Sequence, residues 1–214
     1  MASQSDLAFM RRAIALAQER LGSTWPNPTV GCVIVRDGAV IADAVTGPGG
    51  PDSALSRLHA EEQALIAAGG AASGATAFVT LEPCARRSSG RPSCTDRLIE
   101  AGVARAVIAC PDPSKMAAGQ GLERLRAAGV EVESGVLANA ADALYAGYLR
   151  RLATGRPLVE SSTNGFGFDA PFNPLPGEDL ETALDRFGAS GYTRMWVQAG
   201  DRMEAMLRER GFMA

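Results

Sequence analysis

The sequence predicts an α/β fold: a three-layer α/β/α sandwich around a mixed central sheet, followed by a small C-terminal α/β piece. Three observations predict it. Apolar runs of strand length alternate with segments of helical period over about the first 155 residues. The first two runs flank Asp37-Gly38, a hairpin signal, so the sheet opens with an antiparallel pair. The later strand–helix–strand alternation places helices on both faces.

The elements follow in order. Met10, Ile14, Ala17 and Leu21 recur at helical spacing, and Gly22 stops that helix. Thr24 to Pro28 is a stiff connection, after which Val30 to Arg36 and Ala39 to Val45 read as the hairpin strands. Thr46 to Leu58 is a Gly/Pro-rich loop, and His59 to Ala68 is a helix ended by Gly69-Gly70. Thr76 to Leu81 is a strand, Glu82 to Ser93 a polar loop, and Cys94 to Ala101 a short helix. Arg105 to Cys110 is a strand closed by Pro111-Asp112-Pro113. Leu122 to Ala128 is a helix, Val130 to Glu133 a strand, and Leu137 to Leu152 a longer helix. Ser161 to Asp179 reads as irregular. The last stretch offers a helix near 179–187, a strand at Met195 to Gln198 and a helix at Arg202 to Arg210, too little for a core of its own.

Composition narrows the function. The 214 residues carry 21 Lys plus Arg against 24 Asp plus Glu, a net charge of −3, with Lys115 the single lysine and His59 the single histidine. That balance argues against bulk nucleic-acid binding, which shows as a strongly basic domain. No apolar stretch approaches the ~20 residues that cross a bilayer, and Met1 to Leu21 lacks the apolar core of a secretion signal. A cytoplasmic protein is therefore expected, its four cysteines reduced, buried or metal-bound.

The chemistry concentrates in His59-Ala60-Glu61, Pro83-Cys84 and Cys94. One imidazole and two thiolates suit a borderline-soft metal such as Zn2+. Three protein ligands leave the fourth tetrahedral position to water, the catalytic arrangement, and zinc lowers the pKa of that water. Glu61, two residues after the ligand His59, can take the water's proton and pass it to a ring nitrogen and then to leaving ammonia. His-x-Glu followed by Pro-Cys and a second cysteine is the pattern of zinc deaminases that act on an amino-substituted ring. A structural zinc site would need a fourth Cys or His, and none is placed to close the shell. Cys32 and Cys110, within apolar strands, read as core thiols.

On these and further stretches the chain resembles the deaminase domain of the bifunctional riboflavin-biosynthesis pyrimidine deaminase/reductase family. The matching stretches include Met10 to Leu16, Pro26 to Val35, His59-Ala60-Glu61, Gly74 to Cys84, Asp96 to Arg105 and Ala118 to Val132, covering roughly residues 7–155. The resemblance implies a cytidine-deaminase-like fold for residues 1–155. It implies hydrolytic deamination of a diamino-ribosylaminopyrimidinone 5′-phosphate, with zinc on His59, Cys84 and Cys94 and proton transfer by Glu61. It also places Asn27, whose amide is presented between two prolines, in the substrate pocket. Three loops depart from the family. Pro51 to Leu58 is an insertion before the His-Ala-Glu motif. Arg86 stands where the family carries a histidine, and the interval between Cys84 and Cys94 is longer. Ser114-Lys115 replaces an Asn-Pro pair.

The altered loop is basic. Arg91 and Arg86, with Lys115, are the candidate contacts for a phosphorylated small-molecule amino-pyrimidine, because guanidinium binds phosphate in a bidentate manner. In the family a full reductase domain follows the deaminase. Here 58 residues follow Arg156, and no Gly-rich dinucleotide fingerprint is present. Residues 156–214 are therefore expected to be a reductase remnant without hydride-transfer activity, and a homodimer is expected. Two alternatives stay open: a deaminase of a different amino-heterocycle or nucleotide, and a catalytically silent zinc-binding scaffold.

Overall fold

The computed structural model describes residues 2–50, 58–88 and 90–213. Most of the Pro51 to Leu58 insertion therefore lies outside the described residues. The chain divides into two compact units. The first comprises Met1–Gln18, Val30–Gly47 and Ser56–Ala143, and the second Glu19–Thr29, Pro48–Leu55 and Leu144–Ala214.

The first unit is built on a five-stranded mixed sheet. Its strands are β1 (Gly31–Arg36), β2 (Ala39–Val45), β3 (Thr76–Leu81), β4 (Arg105–Cys110) and β5 (Glu131–Ser134), in the order β2-β1-β3-β4-β5. β1 pairs antiparallel with both β2 and β3, whereas β3–β4 and β4–β5 are parallel. The hairpin is the one predicted: Asp37 and Gly38 have φ of 51° and 76°, both positive, as a two-residue turn between twisted strands requires. Consecutive residues of a strand face opposite sides of the sheet. Five successive residues of β1, β3 and β4 are buried, so both faces are covered.

The helices of this unit are α1 (Gln4–Glu19), α2 (Ala60–Ala68), α3 (Cys94–Glu100) and α4 (Gln120–Ala127). α1 buries the expected Met10, Ile14 and Ala17 together with Ala13, while the expected Leu21 lies beyond its end. It approaches β1 so closely that a Cβ on Gly31 would lie 2.0 Å from the Ala13 carbonyl oxygen. α2 packs on β1 and β2, α3 lies beside α2, and α4 packs on β5. α2 and α3 carry the residues of the candidate site.

In the second unit, β6 (Leu158–Ser162), β7 (Ala170–Pro171) and β8 (Arg194–Gln198) form a parallel sheet in the order β6-β8-β7. The long helix α5 (Ala138–Thr154) contributes its residues from Leu144 onward, and α6 (Leu180–Ala189) and α7 (Arg202–Glu209) complete the helices. The tail does build a core, contrary to the expectation from its length. Val159, Phe172, Leu184, Met195, Val197 and Leu207 pack as one buried cluster. The irregular stretch supplies Phe172 to that cluster and contains the two-residue strand β7. Tyr192 stacks on Trp25 with ring centroids 4.1 Å apart, which brings the Glu19–Thr29 segment into this unit.

Candidate metal centre

His59 is the residue before α2, in extended conformation (φ −74°, ψ 158°), and Glu61 and Glu62 follow in the first turn. Cys84 lies three residues beyond the end of β3, and Cys94 opens α3. Ser93 and Asp96 hold that start in place: the Ser93 side chain accepts from the Asp96 backbone N–H, and Asp96 accepts from the Ser93 N–H. The ligand-bearing atoms of His59, Cys84 and Cys94 all lie within 4.8 Å of one another. Both cysteine sulfurs approach His59 Nδ1, at 3.7 Å for Cys84 and 3.2 Å for Cys94.

The loop carrying Cys84 is fixed on several sides. Thr95 Oγ1 donates to the Cys84 carbonyl (3.0 Å), and the Met116 carbonyl accepts from the Ala85 N–H (2.8 Å). Arg124 Nη1 donates to the Ala85 carbonyl (2.7 Å). The buried Glu82 carboxylate accepts from the Gly119 and Gly121 N–H groups, both at 3.1 Å. Gly121 sits where a Cβ would lie 2.2 Å from the Pro83 carbonyl oxygen, so only glycine admits this approach.

The electrostatics suit a cation. The hydrogen bond from Cys94 holds the Cys84 thiol well below the usual range against its burial, with further help from His59. The Cys94 backbone N–H also donates to Cys84 Sγ at 3.3 Å. The same pairing, with burial, pushes Cys94 up. Two sulfurs and an imidazole nitrogen this close together form a donor set of the kind a metal takes. Burial pushes the Glu61 carboxyl up, with His59 opposing the rise. Glu61 is 3% exposed, so its carboxyl is held apart from bulk water beside the three ligands. This donor set, two buried thiols and a half-buried imidazole close together, fits a metal ion.

The basic residues separate into two groups. Arg87, Arg91 and Arg97 converge on Glu62, which is 1% exposed: Arg87 on Oε2 at 2.7 Å, and Arg91 and Arg97 on Oε1 at 2.7 and 2.8 Å. Burial pushes Glu62 up, but these guanidinium groups, Arg87 foremost, outweigh it and the net shift is downward. Arg86 is exposed and donates to the Lys115 carbonyl at 3.3 Å, while Lys115 itself is exposed. Asn27 belongs to the second unit, where its N–H donates to the Thr24 carbonyl. There it lines a small cleft with Thr24, Thr29, Tyr148, Asp169 and Thr193. Cys32 is fully buried, and burial pushes its thiol up. Cys110 is 4% exposed, its thiol pushed up by burial to about 12.

Glu62 and Arg97 were not singled out by sequence reasoning. An acid in the first turn of a helix and a base in the last read as ordinary dipole partners, and nothing local signals that they meet each other.

Comparison with known proteins agrees with this geometry. A family model described as the cytidine and deoxycytidylate deaminase zinc-binding region matches residues 3–110, and the chain belongs to that family. Among its curated relatives, the riboflavin biosynthesis protein RibD of Escherichia coli is 46% identical over 156 residues, covering 72% of this chain and 40% of that protein. The diaminohydroxyphosphoribosylamino-pyrimidine deaminase of Buchnera aphidicola is 39% identical over 153 residues, covering 72% of this chain and 99% of that protein. A solved structure of Acinetobacter baumannii RibD, form 1, is similar with a TM-score of 0.79 at 26% identity, covering 98% of this chain and 85% of that one. The chain spans about two fifths of the length of the first RibD relatives. Among the described residues, no helix is long and apolar enough to cross a membrane.

Proposed function

We propose that the chain is a zinc-dependent hydrolytic deaminase of a phosphorylated amino-pyrimidine, the riboflavin-pathway diamino-ribosylaminopyrimidinone 5′-phosphate or a close analogue. The observation that carries this reading is the trio of half-buried His59 and buried Cys84 and Cys94, with Glu61 in the helical turn that His59 begins. The Buchnera relative, matched over nearly its whole length, bears the name of a deaminase of that pyrimidine. The reading takes the enzyme to be cytoplasmic and its partner to be a small molecule.

His59, Cys84 and Cys94 would hold the zinc ion. When bound, zinc supplies Lewis acidity that makes water a usable nucleophile near neutral pH. The chain's own residues do the rest. Glu61 accepts a proton from water on its carboxylate and delivers it to the ring nitrogen, so that the ring carbon can accept the oxygen. It then carries the second water proton to the amino group, which leaves as ammonia while the ring gains its oxo group. A carboxyl whose pKa lies above the usual range is suited to both halves of that shuttle.

Basic charge beside the site supports an anionic substrate. Arg87, Arg91 and Arg97 face a single carboxylate, Glu62, leaving a surplus of positive charge. Arg87 Nε and Arg97 Nε are buried without a hydrogen-bond acceptor among the described residues. Arg91, Arg86, Lys115 and Asn27 are the proposed substrate contacts. We further propose that residues 156–214 are related to a reductase domain. Their β8–Gly200–α7 unit is the strand–glycine–helix piece that resembles it.

The test is ammonia release by metal-analysed protein from the pathway pyrimidine phosphate, cytidine, deoxycytidylate and guanine. Release confined to the first compound supports the reading. Release from another compound moves the chain to a different substrate, and none from any compound, with zinc bound, makes it a silent scaffold.

A further inference from the structure

The loop between the two cysteines carries a guanidinium with a contact to a ligand sulfur that the proposed chemistry does not use. Arg87 is 6% exposed on its side chain. Its Nη1 donates to Glu62 Oε2 at 2.7 Å, and its Nη2 donates to Cys94 Sγ at 3.7 Å. Glu62 lies three residues beyond His59 on α2, and Cys94 opens α3. One planar fork thus joins the two helices that position two of the three ligands.

We propose that Arg87 is a positioning residue of the metal centre, oriented by Glu62 so that its second amino group holds and polarises the Cys94 sulfur. The inference rests on the zinc-deaminase reading of the site.

Three features argue for this role over a plain loop anchor. A surface arginine that merely pins a loop pairs at the rim, whereas this pair is closed off from solvent on both sides (6% and 1% exposed). Burial of an unpaired guanidinium is costly, and Glu62 compensates for it while leaving the far side of the fork for the sulfur. Glu62 also has its partners divided. Oε1 takes Arg91 and Arg97, while Oε2 takes Arg87. The surrounding arginines therefore fix the carboxylate that fixes Arg87. An N–H donated to a ligand sulfur orients it and withdraws electron density, and loss of such an outer partner typically costs about 10–100-fold in metal affinity.

The experiment uses the full chain, stripped of metal and titrated with Co2+ while the thiolate-to-cobalt absorption is followed. Zn2+ affinity is then read by competition with a chromogenic chelator. Arg87→Met is expected to weaken both metals about 10–100-fold and to shift the thiolate-to-cobalt band. Arg87→Lys, which restores a donor without the fork, is expected to recover part of the loss. Wild-type affinity and an unshifted band in a folded Arg87→Met protein would overturn the proposal. Should Arg87→Met fail to fold, Glu62→Gln decides: it leaves the Arg87 side chain in the loop but removes the charge that orients it. Weaker metal binding with a shifted band supports the proposal, and an unchanged site overturns it. A wild-type chain that binds neither ion through these thiols would instead refute the underlying metal-site reading.

Discussion

Glu61 and Glu62 are adjacent carboxylates whose environments drive them apart. Burial raises the first, while three arginines hold the second ionised. Separation of this kind divides labour between neighbouring acids. Glu61 is the one suited to proton transfer, and Glu62 is a fixed negative charge that orders the basic loop. Glu61→Gln is expected to keep the full metal complement and lose about 10²–10⁴-fold in turnover, as checked by metal analysis beside ammonia release. Normal turnover would refute its role. At this scale the sequence was legible where the motif is local. His59, Glu61, Cys84 and Cys94 sit at fixed offsets around helix and strand ends, so their types and spacing point to a candidate metal site. The Glu62–Arg87 and Glu62–Arg97 pairs were not, because each joins distant segments that only the fold brings together.

Among the elements, one contact supports the site and another the sheet. Gly121 lets α4 approach the Pro83 carbonyl just before Cys84, and Glu82 caps the same helix start. Gly121→Ala must displace one of these backbones. It is expected to destabilise the fold by roughly 1–3 kcal/mol, in the range for overpacking, and to weaken metal binding, as followed by denaturant unfolding and Zn2+ competition. The second contact ties α1 to the sheet. Arg105 of β4 donates to Asp6 Oδ1 at 2.7 Å, and chiefly this hydrogen bond lowers the Asp6 pKa from 3.8 to about 2. A carboxylate depressed on folding contributes stability above its unfolded pKa. That contribution is lost as pH falls through the folded value. Asp6→Asn should therefore cost about 1–2 kcal/mol near neutral pH, discounted for the partly exposed arginine. The cost should disappear between about pH 4 and pH 2, the window set by those two values. An equal cost at pH 7 and pH 2 in urea unfolding would contradict the assignment. The buried strands β1, β3 and β4 were readable because each is a continuous apolar run, and the Asp-Gly turn fixed the first hairpin. β6 and β7 were not. β6 runs from Leu158 and Val159 straight into Glu160, Ser161 and Ser162, and β7 is two residues ending in proline. Both are strands only because β8 pairs with them.

The whole chain couples its stability to the proposed metal. Ligands from three separate segments, met in order by α2, the loop after β3 and α3, cannot be assembled in the unfolded chain, so binding free energy becomes folding free energy. Metal in excess by about a hundredfold over its dissociation constant adds about 2.7 kcal/mol. Chelator treatment should lower the melting midpoint by roughly 5–10 °C, and re-addition of zinc should restore it. The tail carries its own buried cluster, which its length alone did not foretell, because Phe172 and the helices α6 and α7 concentrate apolar area on one short sheet. If it is a reductase remnant, purified protein given NADPH and the deaminated pyrimidine will show no loss of nicotinamide absorbance, and steady oxidation would refute that reading. The substrate was the least legible feature. Asn27, Arg86, Arg91 and Lys115 lie on loops, and loop residues choose a substrate through shape rather than through a local pattern.

The central claim is that His59, Cys84 and Cys94 hold a zinc ion beside a proton-carrying Glu61. The most direct test measures zinc per chain and ammonia released from the diamino-ribosylaminopyrimidinone 5′-phosphate, in the wild type, Glu61→Gln and Cys94→Ala. The account predicts about one zinc per chain with turnover in the wild type, the same zinc without turnover in Glu61→Gln, and neither in Cys94→Ala. Undiminished ammonia release from Cys94→Ala, or from wild-type protein freed of zinc, would contradict it.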